Sequence, residues 1–488
     1  MKKNYKVVII GSGFGGQLAA MALVKKGIKD FIMLERRPFM GGTWTQNVYP
    51  GAAVDVPSVL YSVAAEPYDW SQKYATQGEL DNYTHHIIDK HKLREKTVTE
   101  CTVNRIEWDE VASCWRVHAK GGDTYTAQFV INASGPLSTP VIPNFKGREK
   151  FKGKSFHTND WDTTYNYEGK RVAIIGTGAS AAQIIPAIVD DVAHLDVYQR
   201  DADWVMPRQD YVLKNWQRAL LRNKTINSAF RIFTYWALEF RLIGFKYFQG
   251  ILDLIGKRPA VKNIKAQIKD PVLRAKVTPE FTFGCKRIIL SDTLYPAYCR
   301  DHVELYDKNS GIQEITENGV VTTDGVEHPV DLIVYSTGYD ATDGMISYPV
   351  VGRNGVTLKE TWAEFPRAYL GTSAPGFPNL FIMTGPNTGI GHTSALFLME
   401  SQIFYIINNI KQVEKRNMRT VEVKASAEER YTTLIHDEMK HTVWQAGGCS
   451  SWYKSASGKV IAMFPGFSFT YRRWAKKFHV IDHTFEAK

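Results

Sequence analysis

A glycine-rich turn near the N-terminus constrains the fold of this chain more than any other feature. The β-branched run at residues 6–10 leads into Gly11-Ser12-Gly13-Phe14-Gly15-Gly16, a G-x-G-x-x-G pattern followed by a helical stretch to about residue 26. Gly11 permits the tight turn, Gly13 lets backbone N–H groups approach a pyrophosphate, and Gly16 lets the helix pack on the strand. A second apolar run, Phe31–Leu34, ends at Glu35. The sequence therefore predicts a parallel α/β dinucleotide-binding unit in which Glu35 accepts a hydrogen bond from a ribose hydroxyl.

A second strand and glycine turn of this kind, with the pattern G-x-G-x-x-A, recur in the middle of the chain. A strand-like run at Arg171–Ile175 leads into Gly176-Thr177-Gly178-Ala179-Ser180-Ala181, and a further strand-like run spans residues 194–199. Glu35 lies 24 residues after Gly11, and the same offset from Gly176 reaches Arg200. A carboxylate accepts from a free 2′-hydroxyl, whereas a guanidinium forms a forked ion pair with a phosphate. We expect the second unit to bind a 2′-phosphorylated dinucleotide, NADPH being the obvious candidate; the alternative is an ordinary exposed arginine at a strand end.

Two dinucleotide units in one chain predict a flavoprotein that takes electrons from a nicotinamide nucleotide. The fold class is therefore α/β, with two Rossmann-like domains and a helical insert in the second. We place the first part of the FAD-binding domain at 1–150, the NADPH-binding domain at 151–338 and the second part of the FAD-binding domain at 339–488. The segment 136–153 contains three prolines and two glycines, which is typical of an interdomain linker.

The predicted insert, at about 210–280, carries most of the charge. The whole chain has a net charge of +10, and residues 211–278 contain fourteen Lys and Arg against three acidic residues, which gives +11. Aromatic residues at 230, 233, 235, 236, 240, 245, 247 and 248 lie among these bases. One interpretation is a helical cover with a solvated basic face and an aromatic core face; another is a peripheral contact with an anionic membrane. No nucleic-acid recognition motif accompanies the charge, so nucleic acid is not an expected partner.

Several other chemistries are excluded by spacing. Five scattered cysteines contain no C-x-x-C pair, which argues against a disulfide framework, a thiol redox centre and a thiolate metal site, and favours a reducing, cytoplasmic location. His436 and His441 lie five residues apart and no H-E-x-x-H occurs, so no metal is predicted. The most apolar stretch, 229–255, is interrupted by charged residues and does not predict a membrane-spanning helix. The apolar residues after Met1-Lys2-Lys3 are interrupted by glycines, unlike a signal peptide.

Two further motifs resemble those of a known family. Residues 151–162, FKGKSFHTNDWD, match the F-x-G-x-x-x-H-x-x-x-W-[PD] fingerprint of class B flavin monooxygenases of the Baeyer–Villiger type. Residues 41–55 resemble the second fingerprint of that family, G-G-x-W-x-x-x-x-[FY]-P-G-x-x-x-D. The related monooxygenases that oxidise nitrogen and sulfur usually have Tyr or Phe where this chain has Trp161. The resemblance extends from residue 6 to about 474.

The resemblance implies an activity and a set of site residues. It implies that NADPH reduces FAD, that O2 then forms a C4a-peroxyflavin, and that a ketone is converted to an ester or lactone. A membrane contact of the insert would favour a lipophilic ketone. Arg287 would be the catalytic cation and Asp55 its partner. The implied FAD contacts include the first glycine turn and Glu35. The resemblance adds Gly42, Thr43, Trp44, Asp55 and Tyr61. The implied NADPH contacts come from Thr177, Gly178, Ser180, Gln183, Arg200, Lys286 and Trp452.

Two alternatives stay open from the sequence. The same oxygenating flavin could act on nitrogen or sulfur, or the chain could be a non-catalytic flavin-binding redox sensor, which would need neither Arg287 nor Asp55. His157 lies in the linker fingerprint, and we interpret it as a structural or domain-motion residue rather than a base. The sequence predicts neither the individual ketone nor the oligomeric state.

Overall fold

The computed structural model describes residues 3–487. Met1 and Lys2, the start of the predicted FAD-binding domain, and Lys488, its last residue, lie outside the described residues. Strands β1 to β10 are Asn4–Ile10, Phe31–Leu34, Thr97–Val98, Val103–Asp109, Cys114–Ala119, Thr124–Asn132, Lys154–His157, Arg171–Ile175, His194–Tyr198 and Val205–Met206. Strands β11 to β20 are Ile289–Leu290, Val303–Tyr306, Ile312–Ile315, Gly319–Thr322, Glu327–Pro329, Leu332–Tyr335, Val350–Val351, Leu380–Ile382, Met418–Val423 and His483–Ala487.

The α-helices connect and cover these strands. Helices α1 to α8 are Phe14–Lys25, Thr43–Gln46, Gln77–Lys90, Ala179–Ile188, Asn215–Arg222, Lys224–Glu239, Gln249–Leu252 and Arg258–Gln267. Helices α9 to α15 are Pro271–Lys276, Leu294–Tyr298, Leu358–Thr361, Ala395–Arg416, Ala425–Met439, Val443–Ala446 and Ser468–Lys476. Two π-helical turns, Ile243–Tyr247 and Asp253–Lys257, flank α7.

The first sheet is built around β1. Strand β1 pairs in parallel with β2 on one side and β6 on the other, and β4, β5 and β6 form an antiparallel meander. Two strands from the last third of the chain complete the sheet, β17 beside β4 and β18 beside β6. Residues 7–10 are buried because helix α1 and the rest of the domain cover both faces of β1. The predicted strand–turn–helix–strand unit is confirmed.

The second sheet repeats this arrangement with five parallel strands in the order β12-β9-β8-β16-β7. Strand β8 precedes the second glycine turn, α4 follows it, and β9 ends at Tyr198, just before Arg200. The carboxyl ends of β8 and β16 therefore meet at the edge where a nucleotide binds in such sheets. A small antiparallel meander, β13-β14-β15, precedes β16.

The insert is helical, as predicted, but it packs on the first domain. Arg218 in α5 donates to Asp69 (Nε to Oδ1, 3.0 Å), and Arg231 in α6 donates to the carbonyl oxygen of Val59 (2.7 Å). The ring of Tyr235 stacks on Phe397 of α12 with 4.7 Å between centroids. The insert therefore ties the two domains together rather than covering only the second.

The expected aromatic core face of the insert is only partly present. Tyr235 and Phe245 are buried. The other six aromatic residues among the bases are exposed: Phe230, Phe233, Trp236, Phe240, Tyr247 and Phe248. On α6, Ile226, Phe230 and Phe233 follow one helical face, while Asn227, Tyr235 and Leu238 face the protein. The exposed Phe240 directly follows the end of this helix. The interpretation of a purely solvated insert with inward-facing rings is wrong, because its outer helix face is apolar.

Candidate active site between the two nucleotide units

The first glycine turn is packed too closely for a side chain at its first and last glycines, Gly11 and Gly16. Gly11 has φ +100°, and a Cβ there would lie 2.5 Å from the carbonyl oxygen of Ala133. A Cβ on Gly42 would lie 2.6 Å from the Cα of Gly13, so the turn and the second fingerprint meet backbone to backbone. No side chain caps the start of α1. The positive end of this helix, with its unpaired N–H groups, is shaped for a pyrophosphate.

Glu35 lies at the end of β2 and contacts the turn. Its Oε2 accepts hydrogen bonds from the backbone N–H (2.9 Å) and the hydroxyl (2.7 Å) of Ser12. Its Oε1 accepts from the backbone N–H of Arg37 at 3.0 Å. The carboxylate is therefore fixed beside the turn, where an FAD ribose would be held. Among residues 3–487, the buried hydroxyls of Thr393 and Ser394 at the start of α12 have no hydrogen-bond partner, as expected of groups awaiting a polar ligand. These features fit FAD.

The second turn has nearly the same backbone. Gly176 has φ +103°, and a Cβ there would lie 2.4 Å from the carbonyl oxygen of Ser336. Helix α4 begins after Gly178 without a side-chain cap. The Thr177 hydroxyl donates a long hydrogen bond to the carbonyl oxygen of Asp201 (3.5 Å). The fit to a second pyrophosphate matches the first.

Two predicted phosphate contacts come together beside the second turn. Lys286 Nζ donates to Asp201 Oδ2 at 3.2 Å, and Arg200 Nε lies 3.5 Å from the same oxygen. The Arg200 side chain is 83% exposed, so its guanidinium is free to turn towards a ligand. Sequence reasoning missed two acidic residues here, Asp201 and Asp203. The Oδ1 atom of Asp203 lies 4.0 Å from Lys286 Nζ. Burial raises the pKa of Asp203 to about 6, although Lys286 acts in the opposite direction. The acid directly after Arg200 was a signal that could have revealed Asp201, whereas nothing in the sequence singles out Asp203.

Asp55 and Arg287, 232 residues apart, form an ion pair between the two units. Arg287 Nε donates to Asp55 Oδ2 at 2.5 Å, and Nη2 donates to Oδ1. The side chains are 26% and 46% exposed, respectively. Burial alone would raise the pKa of Asp55, but the charge and hydrogen bonds of Arg287 outweigh it and hold the pKa below its ordinary value. The Asp55 charge in turn raises the pKa of Arg287. Both groups are charged at neutral pH.

Phenols surround this pair. Trp44 Nε1 donates to the Tyr61 hydroxyl at 3.0 Å, which fixes both rings beside helix α2. Burial raises the pKa of Tyr61 and of Tyr453 to about 12. Both hydroxyls therefore keep their protons at neutral pH and stay hydrogen-bond donors. The resemblance implied Trp44 and Tyr61 as FAD contacts, and it placed Tyr453 only in the segment 451–453 that would close over the nicotinamide.

The second nucleotide loop contacts the second fingerprint directly. Gln183 Nε2 donates to the carbonyl oxygen of Ala53 (2.8 Å), and the Tyr49 hydroxyl donates to Gln183 Oε1 (3.1 Å). The Ser180 hydroxyl donates to the Tyr49 hydroxyl at 3.2 Å. Nearby, the carbonyl oxygen of Thr43 accepts from the Asn47 side chain at 2.9 Å. Ser180 and Gln183 thus couple the two units beside Asp55.

A disulfide joins two segments at this site, contrary to the expectation from cysteine spacing. Cys285, directly before Lys286 and Arg287, is bonded to Cys449, with 6.1 Å between their Cα atoms. Spacing along the chain could not reveal a pair separated by 164 residues. The bond places Trp452, which is 42% exposed, in the same region, with its ring 4.6 Å from that of Tyr453.

His157 is buried and fully engaged. Its Nδ1 accepts from the backbone N–H of Asn159 (3.0 Å), and its Nε2 lies 3.1 Å from the carbonyl oxygen of Gly338. Burial lowers the pKa of His157, so the ring is neutral near pH 7. It therefore links the linker to the segment that leaves the second sheet, in keeping with a structural role.

Comparisons with known proteins place the chain in a family. The family model described as pyridine nucleotide-disulphide oxidoreductase matches residues 8–236. A Baeyer–Villiger monooxygenase of Pseudomonas aeruginosa is 40% identical over 479 residues, covering 98% of this chain and 90% of that protein. One of Streptomyces coelicolor is 40% identical over 484 residues, covering 99% and 92%. The chain belongs to the Baeyer–Villiger monooxygenases.

Solved structures agree with this membership. An oxidised steroid monooxygenase bound to NADP superimposes with a TM-score of 0.88 at 29% identity, covering 99% of this chain and 100% of that one. The complex of OTEMO with FAD and NADP gives 0.89 at 26% identity, with the same coverage. The predictions of the family, the α/β fold, a monooxygenase activity, FAD and NADPH are confirmed. The cysteine pair found here lies outside the stretch matched by the reductase model.

Proposed function

We propose that the Asp55–Arg287 pair is the centre at which this monooxygenase inserts oxygen next to the carbonyl of a ketone. The observation that carries the proposal is the position of the pair, between a turn that fits FAD and a turn that fits NADPH. A fixed ion pair at the junction of two nucleotide units places a permanent cation where both cofactors would meet. The products would be esters or lactones, and the substrates ketones and O2.

The residues of the first unit would hold FAD. Gly11, Gly13 and Gly16 would receive its pyrophosphate at the start of α1, Glu35 would accept from its ribose, and residues 42–44 with Tyr61 would lie against the ring system. FAD, when bound, would carry electrons from NADPH to O2, and one atom of that O2 would enter the product.

Arg287 would act as the electrostatic catalyst. A guanidinium cannot lose its proton at any working pH, and Asp55 raises its pKa further. It can therefore stabilise negative charge that develops on the ketone oxygen during the reaction. Asp55 would position the guanidinium, since two hydrogen bonds fix its plane. Tyr61 and Tyr453 would supply neutral donors and exclude water.

The second unit would present NADPH to this centre. Thr177, Gly178 and Ser180 would hold the pyrophosphate at the start of α4, with Gln183 as the link to the first domain. Arg200 and Lys286 would pair with the 2′-phosphate, displacing part of their present interaction with Asp201. Trp452 would cover the nicotinamide.

A ketone panel tests this function. The purified yellow protein should consume NADPH and 18O2 and release one labelled ester or lactone per NADPH from at least one lipophilic ketone. The alternative activities have different signatures, since a redox sensor would give no product and a heteroatom oxygenase would label only amines or sulfides. Consumption of NADPH with no ester from any ketone would contradict the proposal.

We also propose that the insert rests on an anionic membrane surface, from which a lipophilic ketone would enter. Among residues 3–487, no helix is long and apolar enough to cross a bilayer. The support comes from the apolar outer face of the insert, where Phe233 is 71% exposed and Phe248 63%. Exposed bases lie around it at Lys214, Lys224, Lys257, Arg258, Lys262 and Lys265. Rings flanked by Lys and Arg are typical of peripheral membrane contacts, and anionic lipid complements the charge.

Vesicle co-sedimentation tests the membrane contact. Binding to vesicles containing phosphatidylserine should be strong at low salt and weak at high salt, with no binding to phosphatidylcholine alone, since each base near the surface contributes about 1 kcal/mol. Phe233→Ser with Phe248→Ser should abolish binding. Ile481→Ser is the matched control, because Ile481 is 78% exposed but lies outside the insert. Equal binding by both variants, or none by the parent at low salt, would refute this contact, and a concentration-dependent dimer lost in the double variant would assign the face to a second copy.

A further inference from the structure

The Cys285–Cys449 bond joins two segments that have different places in the chain but the same place in the site. Cys285 follows the insert and immediately precedes Lys286 and Arg287. Cys449 lies two residues before the Ser451-Trp452-Tyr453 segment. Lys286, Arg287 and Trp452 thus all lie within three residues of one covalent bond. Their proposed roles are one of the two 2′-phosphate contacts, the catalytic cation and the nicotinamide cover, respectively.

The two segments are built to approach each other. The backbone N–H of Thr282 donates to the carbonyl oxygen of Gly447 at 3.1 Å. A Cβ on Gly447 would lie 2.7 Å from the Cβ of Cys285 and 2.8 Å from its Sγ, so only glycine permits this packing. Cys285 is fully buried and Cys449 is 7% exposed. The disulfide is therefore part of a packed interface between the two segments and not a bond between exposed cysteines.

The segment that carries Trp452 has little regular structure of its own. Residues 447–452 form no helix or strand. The segment is fastened again where Tyr453 pairs with residues 461 and 462 through its carbonyl oxygen (2.9 and 3.1 Å), and where Lys454 Nζ donates to the carbonyl oxygen of Cys449 (3.2 Å). Apart from the main chain itself, the disulfide is the covalent link between the 447–453 segment and the segment that carries Lys286 and Arg287.

We propose that the Cys285–Cys449 bond is a redox-sensitive tether that holds the 447–453 segment against Lys286 and Arg287, so that the affinity for NADP(H) depends on the state of the two thiols. The inference rests on the proposed roles of Lys286 and Trp452 towards the nucleotide. When the bond is closed, the cover and the phosphate-binding segment are held in one arrangement. When it is open, the 447–453 segment samples others, and the apparent affinity falls with the fraction of molecules that are competent to bind.

The chemistry balances with a peroxide and a dithiol. Hydrogen peroxide transfers an oxygen atom to one thiolate, with loss of hydroxide, and gives a sulfenic acid; the second thiol then displaces that oxygen as water and forms the S–S bond. Two thiols lose two electrons and two protons in all, and the peroxide is reduced to two waters. A dithiol reverses the reaction by thiol–disulfide exchange and is itself oxidised to a disulfide.

The first measurement is the thiol count of the FAD-loaded enzyme. Alkylation under denaturing conditions, followed by mass spectrometry, should find three reactive cysteines without reductant (Cys101, Cys114 and Cys299) and five after reduction. NADP+ should slow reduction of the disulfide by dithiothreitol. If the disulfide raises the affinity for NADP+, bound NADP+ must stabilise the disulfide to the same extent. Five free thiols after peroxide treatment would overturn the proposal.

The second measurement is the affinity for NADP+, with FAD content checked by absorbance. Reduction should raise the Kd about 5- to 20-fold, since the competent fraction falls. Cys449→Ser should show the raised Kd with or without reductant, and Cys299→Ser, at an exposed free cysteine, should respond like the parent. An unchanged Kd on reducing the parent enzyme would overturn the tether even if Cys449→Ser failed to fold. Because the readout is nucleotide binding, failure to form esters would leave this result intact and would refute only the ketone oxidation.

Discussion

The two nucleotide units share a backbone and differ in the residue that meets the ribose. Gly11 and Gly176 have φ angles of +100° and +103°, and each lies against the carbonyl oxygen of the residue that directly follows a later strand, Ala133 after β6 and Ser336 after β16. At the next strand end, the first unit has Glu35, which is 7% exposed and bonded to its own turn. The second has Arg200, whose side chain is 83% exposed. Under the proposed roles, the shared backbone would determine where a pyrophosphate lies, and the residue at the strand end would distinguish a free ribose from a 2′-phosphorylated one.

The difference extends to how firmly each residue is held. Glu35 is preorganised by Ser12 and needs no movement to accept from a ribose hydroxyl. Arg200 shares Asp201 with Lys286 and would exchange part of that interaction for a phosphate. We therefore expect the first cofactor to stay bound through turnover and the second to exchange, which suits a resident flavin and a nicotinamide co-substrate.

The junction between the units gives the largest expected effect. Arg287→Ala should lower the rate of ester formation about 100- to 1000-fold, the usual cost of removing a preorganised charge donor. FAD binding should persist, and NADPH should still be oxidised, with hydrogen peroxide replacing the ester. Gas chromatography measures the ester, and a peroxide assay on the same reaction measures the hydrogen peroxide. Arg287→Lys is a companion variant that keeps the positive charge but cannot form the two parallel hydrogen bonds to Asp55. Ester formation by Arg287→Ala at the parental rate would show that Arg287 has no catalytic role.

The first unit is tested through Glu35. Glu35→Gln should weaken FAD binding about 10- to 100-fold, because a hydrogen bond to a charged acceptor is replaced by a neutral one. Fluorescence titration of the apoprotein with FAD measures the change. The KM for NADPH of the reconstituted variant should match that of the parent. A shift of the NADPH KM with FAD affinity unchanged would reverse the assignment of the two units.

The second unit is tested through Arg200. Arg200→Ala should raise the KM for NADPH about 5- to 10-fold and leave kcat unchanged, since the lost ion pair is remote from the hydride. The KM for NADH should not move. Arg300→Ala is the matched control, because Arg300 is another exposed arginine of the same domain, paired with Asp190. Equal losses with both nucleotides would mean that Arg200 does not read the 2′-phosphate.

Asp203 gives the smallest effect and a definite pH dependence. Its pKa is raised to about 6 by burial, so above pH 6 it places a second carboxylate beside Lys286 and opposes phosphate binding. Asp203→Asn should lower the KM for NADPH about 2- to 4-fold at pH 8, as expected of one screened charge. At pH 5 the KM values of the variant and the parent should agree, since Asp203 of the parent is then mostly protonated and, like the asparagine of the variant, carries no charge. Comparing the two proteins at each pH cancels the titration of the phosphate itself, and an equal ratio at both pH values would contradict the role.

The sequence predicted the parts of the fold that repeat at fixed spacing. Both glycine turns, their flanking strands and the offset of 24 residues to Glu35 and Arg200 follow from local rules, and the structure places them as expected. The pairing of Asp55 with Arg287 could be stated only through the family resemblance, because 232 residues separate the two. Site roles remain predictions that the variants above address.

What the sequence could not reveal depends on contacts between distant segments. No spacing rule connects Cys285 to Cys449, so the cysteine spacing, which argues against a disulfide framework, does not reveal this bond. The aromatic residues of the insert could be counted but not oriented, because its helices pack on the first domain and turn Phe233 and Phe240 outward. The role of Asp203 depends on burial, which its neighbours in sequence do not indicate.

The most direct test of the distinction between the two units is competition against NADPH by adenosine 2′,5′-bisphosphate and by 5′-AMP. The two inhibitors differ only in the 2′-phosphate, and neither carries the nicotinamide. We predict that the bisphosphate binds at least about 10-fold more tightly, as a forked ion pair to phosphate requires, and that Arg200→Ala combined with Lys286→Ala removes the difference. Equal inhibition constants for the two compounds in the parent enzyme would contradict the account.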